Sequence, residues 1–143
     1  VLCDRFISAT CAYQVAAGFP RERVLELARF AIGDTWPGLT LVLDVPAEIG
    51  INRAQQRAAK IKARCKADSP ELPADAVPDA MEMRSAEFHR RVRELFLELP
   101  DVYPGKVVVI DANRPPDEVW PDVQQAVQDL VAQVEADEPD AVR

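Results

Sequence analysis

Leu39-Thr-Leu-Val-Leu-Asp44 runs straight into Val-Pro-Ala-Glu48, and Val107-Val-Val-Ile-Asp111 into Ala-Asn-Arg-Pro115. An unbroken apolar run, closed by an Asp and followed by a proline-marked helix start, is the pattern of a parallel strand buried on both faces. Pro46 and Glu48 suit the first turn of the next helix, and Ile51, Ala54, Ala58 and Ile61 carry its apolar stripe. A third apolar segment, Val1-Leu-Cys3, reads as the end of another buried strand and leads into Asp4-Arg5. Three strands alternating with helices predict an α/β fold with a mostly parallel sheet.

The spaces between these runs read as helices. Ser8–Ala17 is small and apolar, with Tyr13 and Gln14 as its large polar members, and Gly18 breaks it. Pro20 opens a helix whose stripe is Val24, Leu27, Ala28, Ala31 and Ile32, ending at Gly33. Residues 66–79 hold three prolines and no period, which predicts a loop or mobile flap. Phe88, Val92, Leu95, Phe96 and Leu99 mark a further amphipathic helix, with Pro100 as its stop. Val119 to Val134 mark the last helix, and the acidic tail from Glu135 is expected to fray. No internal repeat and no domain linker is visible.

The composition bounds what such a domain does. The chain has 143 residues, 48% of them apolar, and a net charge of -7. It lacks any apolar run of the ~20 residues a membrane helix needs. Its acidic balance argues against sequence-blind nucleic-acid binding. Cys3, Cys11 and Cys65 have no metal-ligand spacing, which predicts free thiols and a cytoplasmic setting. The opening at Val1, inside an apolar stretch and without Met, leads us to expect a truncated chain.

In open parallel sheets ligands bind at the carboxyl ends of the strands. Those ends are Asp4-Arg5, Asp44 and Asp111-Ala-Asn113. An Asp at such a place can hold Mg²⁺ directly or through water, and an adjacent guanidinium can grip phosphate oxygens in pairs. Arg53 and Arg57 lie four apart on one helix face, with Arg64 and Arg84 beyond. A positioned set of arginines suits phosphoryl transfer, although the same pattern also fits a solvated helix face. His89 is the single histidine, so no histidine-pair metal site exists. The five glycines form neither a G-x-x-x-x-G-K-[ST] nor a G-x-G-x-x-G phosphate loop.

Four ordered blocks then carry a resemblance. Val1-Leu-Cys-Asp-Arg-Phe-Ile-Ser-Ala-Thr-Cys-Ala-Tyr-Gln14 resembles the strand, D-R-[YH] motif and A-Y-Q helix of the bacterial-type thymidylate kinases. Residues 39–57 resemble that family's fourth strand and the helix entering its lid, 87–99 its post-lid helix, and 107–119 its last strand and turn. The resemblance implies a P-loop nucleoside-monophosphate-kinase fold with a parallel sheet flanked by helices, here without its amino-terminal strands. It implies a partial domain over 1–135, with the lid at about 58–82 and a disordered tail at 136–143. It also implies transfer of the γ-phosphoryl of ATP to dTMP, with Mg²⁺, by a protein that is a homodimer at full length.

The roles it implies attach to matched positions only. Arg5 would bind phosphate between donor and acceptor, and Asp4 would stand near the magnesium. Thr10 and Gln14 would face the thymine edge, and Tyr13 would pack under the deoxyribose. Arg53 and Arg57, with Arg57 catalytic, would approach ATP from the lid, joined by Arg84, and Asn113 would flank adenine. The departures are equally specific. The family's phosphate loop has no counterpart in these residues, Phe6 replaces the Tyr or His of D-R-[YH], and Ala80 stands where the lid has an arginine. By the family's strand order, a missing strand would separate residues 1–3 from 39–44, and these residues alone are expected to fold poorly or aggregate. The rival expectations are a deoxynucleoside kinase, a non-catalytic interaction module derived from a kinase, and a split gene whose upstream product supplies the loop.

Overall fold

The computed structural model describes residues 1–68 and 83–137, and side chains outside 62–68 within that span. Among the described residues the elements follow in the order α1 (Ile7–Ala16), α2 (Arg21–Ile32), β1 (Thr40–Asp44), α3 (Ala47–Asp68), α4 (Ala86–Leu97), α5 (Leu99–Val102), β2 (Val107–Asp111) and α6 (Pro116–Asp137).

β1 and β2 pair in parallel, with Thr40 opposite Val107 and Asp44 opposite Asp111. The backbone bonds Thr40 N–H to Lys106 O and Ala112 N–H to Asp44 O, each 2.8 Å, close the ladder at its two ends. The pairing brings the two strand-end aspartates side by side. One face carries Val42 and Val107, packed on Leu99, Tyr103 and Phe96. On the other, Ile110 is buried.

The helical layer is built around α1, whose buried residues are the small Ser8, Cys11 and Ala12. Small side chains let helices approach closely on two sides at once. Cys11 packs with Val24 and Ala28 of α2, and Ala12 with Val92 and Leu95 of α4. α2 begins after Pro20 and ends at Gly33, which takes the left-handed φ of 53° that a helix-ending glycine accepts. The Ser85 hydroxyl caps α4 by accepting from the Phe88 N–H at 3.2 Å.

Three expectations need correction. Residues 1–3 form no strand, and Val1 and Leu2 are exposed. A strand exists through its neighbours, and β2 on one side is the only strand that β1 pairs with among the described residues. The helix over 86–97 is not stopped by Pro100: α4 ends at Leu97, and Pro100 sits in the first turn of α5. A proline is tolerated there because the first N–H groups of a helix have no intrahelical acceptor. The expected loop from 66 begins later, since α3 reaches Asp68; residues 69–79, most of the lid span and Ala80 lie outside the described residues. α6 continues to Asp137, and residues 138–143 also lie outside.

Candidate active site

Arg5 is the one non-glycine residue at positive φ among those described, at 64°. Holding a side-chain-bearing residue in that region costs on the order of 1 kcal/mol. The bend turns the chain from residues 1–4 into α1 and lays the Arg5 guanidinium over the Tyr13 ring, 5.4 Å from its centre. Nη2 also approaches the Tyr13 hydroxyl, at 3.5 Å. Tyr13 is held from beneath by Phe88 and Phe96, with ring centres 6.2 and 6.3 Å away. Thr10, Tyr13 and Gln14 share one face of α1 by helical spacing. Thr10 is exposed and the other two are half-buried.

Arg84, just before α4, lies over the Phe88 ring at 5.3 Å. The two aromatic rings thus carry one guanidinium each. Among the described residues neither Arg5 nor Arg84 meets a carboxylate, whereas Arg21, Arg23, Arg90, Arg91, Arg93 and Arg114 each do.

A second group forms at the exit of β2. Arg53 Nη1 reaches the Ala112 carbonyl at 3.5 Å. Asn113 N–H donates to Asp111 Oδ1 at 2.9 Å, a side-chain turn that fixes the loop. Arg114 Nε donates to the Asp111 carbonyl at 3.0 Å, and its guanidinium pairs with Asp122. Arg57 is exposed one turn beyond Arg53.

Asp44 has a different use from the one its strand-end position suggests. Arg93 of α4 donates to both its oxygens, Nε to Oδ1 at 2.7 Å and Nη2 to Oδ2 at 2.8 Å. That fork raises the Arg93 pKa above its ordinary value. Arg90 adds a bond to Glu48 at 2.5 Å and holds that carboxyl below the usual range. Together they tie the end of β1 and the start of α3 to α4. Sequence reasoning missed Arg93, because a pairing across 49 residues leaves no local signal.

Asp4 is exposed, and no group of three His, Cys, Asp or Glu side chains able to hold a metal ion is found among the described residues. A resident metal therefore has no cage among them. A magnesium arriving with nucleotide phosphates needs only one or two protein oxygens, which an exposed Asp4 can supply.

A family model described as Thymidylate kinase matches residues 1–123. The chain belongs to the thymidylate kinase family. Among curated relatives, the thymidylate kinase of Nitratidesulfovibrio vulgaris is 37% identical over 134 residues, covering 92% of this chain and 57% of that protein. The thymidylate kinase of Rhodopseudomonas palustris strain BisB18 is 40% identical over 129 residues, 90% of this chain and 50% of that protein. The thymidylate kinase of Bacillus cytotoxicus is 35% identical over 129 residues, 90% and 54%. The chain spans about half the length of the curated relatives it matches. Thymidylate kinases have a P-loop nucleoside-monophosphate-kinase fold, and the parallel β1–β2 pair with its flanking helices is an α/β portion of it.

Proposed function

We propose that this chain carries the acceptor-binding part of an enzyme that moves the γ-phosphoryl of MgATP onto dTMP, giving dTDP. The observation that carries the reading is Arg5. It is held at a strained backbone angle on the ring of Tyr13, with no carboxylate partner among the described residues. A structural arginine would be expected to relax that angle or find an acid. One kept uncompensated is set to receive phosphate oxygens, which a guanidinium binds in pairs.

In this reading Arg5 bridges the acceptor phosphate and the incoming phosphoryl and neutralises the charge that builds between them. Tyr13 forms the floor under the deoxyribose, while Thr10 and Gln14 address the base. Arg53, Arg57 and Asn113 serve the ATP side, supported by the contact of Arg53 with the turn at Ala112. Asp4 orients the magnesium of MgATP, through water. Phosphoryl transfer of this kind depends on positioning and charge, so each role is one of placement.

No helix of the described residues is long and apolar enough to cross a membrane, and a cytoplasmic enzyme fits the reading. A homodimer fits as well: Leu27 and Phe30 on α2 and Phe19 before it are 68%, 91% and 58% exposed, an apolar surface that a second copy would cover. Sedimentation of the complete gene product would show a dimer, and Phe30→Glu would shift it to monomer.

Calorimetric titration with dTMP and with MgATP, on the 143-residue chain and on the product of the complete gene, tests the function. Binding of both nucleotides by the complete product, with dTMP phosphorylated faster than thymidine, supports it. Phosphorylation of thymidine but not dTMP would move the assignment to a nucleoside kinase. A folded product that binds neither would leave an interaction module derived from a kinase.

A further inference from the structure

Arg84 lies between the lid span and the 87–99 block that carries the resemblance, and its position in the fold has a use. Its backbone is fixed next to the Ser85 cap, and its guanidinium folds back over Phe88, 5.3 Å from the ring centre. Phe88 is itself 6.2 Å from Tyr13, the ring that carries Arg5. Two guanidiniums from chain segments nearly 80 residues apart therefore converge on one aromatic pair, and neither meets a carboxylate among the described residues. The arginines on α4 itself are tied down: Arg90 to Glu48, Arg91 to Glu94 and Arg93 to Asp44. Two guanidiniums carried by one pair of neighbouring rings, neither in an ion pair among the described residues, keep donors available for an anion that comes between them. An aromatic face offers each cation a resting place in the meantime.

We propose that Arg84 is a second phosphate-contacting residue on the acceptor side, sharing the nucleoside monophosphate with Arg5 rather than serving ATP beside Arg53. This rests on the kinase reading and names a further residue of the same site. The guanidinium leaves the Phe88 ring and donates to the acceptor phosphate while Arg5 holds it from the α1 side. Phe88 keeps its place against Tyr13 throughout. The alternative use of Arg84 is packing alone, its methylene stem shielding Phe88 from water.

The test is binding of dTMP, thymidine and MgATP, each measured separately by calorimetry on the complete gene product and its Arg84→Ala and Arg84→Lys variants. A phosphate contact predicts about tenfold weaker dTMP binding for Arg84→Ala, with thymidine and MgATP unchanged and partial recovery for Arg84→Lys. Equal weakening of dTMP and thymidine would mean that Arg84 acts through Phe88, and the proposal fails. Weakening of MgATP alone would return Arg84 to the donor side, and it fails again. An unchanged Arg84→Ala, in a protein that binds dTMP normally, overturns this inference and leaves the kinase reading intact. Absence of dTMP binding by the unaltered protein overturns both.

Discussion

Asp44 and Arg93 are 49 residues apart and meet in a two-bond fork of 2.7 and 2.8 Å. Asp4 and Arg5 are neighbours in the chain and form no ion pair among the described residues, with Arg5 turned onto Tyr13 instead. Both aspartates follow apolar runs, and both looked like nucleotide-site acids. The closed pair is architecture, holding α4 against the end of β1. The open pair keeps its charges in reserve. Chain proximity of opposite charges says little about which will neutralise which: the left-handed bend at Arg5 carries its side chain onto Tyr13 rather than back to Asp4.

The largest expected effect lies at the open end. In the complete gene product, Arg5→Ala should lower kcat/KM for dTMP by about 100-fold or more, with an unchanged circular dichroism spectrum. Arg5→Lys should recover little, since an ammonium cannot bind two phosphate oxygens as a planar fork does. A drop of only twofold would place Arg5 with the structural arginines and erase the contrast.

The next effect lies at the closed end. Asp44→Ala strands a guanidinium beside β1 and should cost about 1–2 kcal/mol in urea unfolding. The low end is favoured because the Arg93 side chain is 39% exposed. Adding Arg93→Ala should cost little more than the single change. Strictly additive losses would show that the fork does not act as a unit.

Beneath the closed end, Tyr103 packs with Val42, and burial pushes its hydroxyl pKa up to about 12. A raised folded-state value means the neutral form is favoured by folding. Stability from this group is therefore whole below the ordinary tyrosine pKa near 10 and is lost as pH rises through about 12. Among the described residues its Oη makes no hydrogen bond of ordinary geometry, with only the Thr40 side chain near enough to oppose the shift, so Tyr103→Phe should change stability near neutral pH little and flatten the alkaline decline. A variant that declines as steeply as the parent would remove Tyr103 as the cause.

Smallest is Glu48→Gln. The bond from Arg90 lowers the Glu48 pKa, so its contribution is present above the ordinary glutamate value and fades as pH falls through the lowered one. At neutral pH the exposed pair should be silent in thermal melts, and the variant should diverge from the parent only in acid.

Much of this architecture is legible in the chain. The apolar runs ending at Asp44 and Asp111 are β1 and β2, and Pro20 and Gly33 bracket α2 as their backbone preferences require. What failed were features that depend on neighbours or on position within a helix. Val1-Leu-Cys3 has the composition of a strand but no strand beside it among the described residues. Pro100 disrupts a helix interior yet fits a first turn. At the candidate site, Arg5 and Tyr13 are readable from their motif, while the convergence of Arg84 on Phe88 and of Arg93 on Asp44 arises only when α4 is laid across α1 and β1.

The left-handed backbone at Arg5 also bears on engineering. A glycine there would adopt the same angle without a steric penalty, so Arg5→Gly relieves local strain while removing the guanidinium. A laboratory selection that scores heat resistance alone puts no value on the guanidinium and is free to accept that exchange. If Arg5 contacts phosphate as proposed, variants emerging from such a screen with position 5 altered would be poorer catalysts, and a library meant to retain turnover would hold that codon fixed.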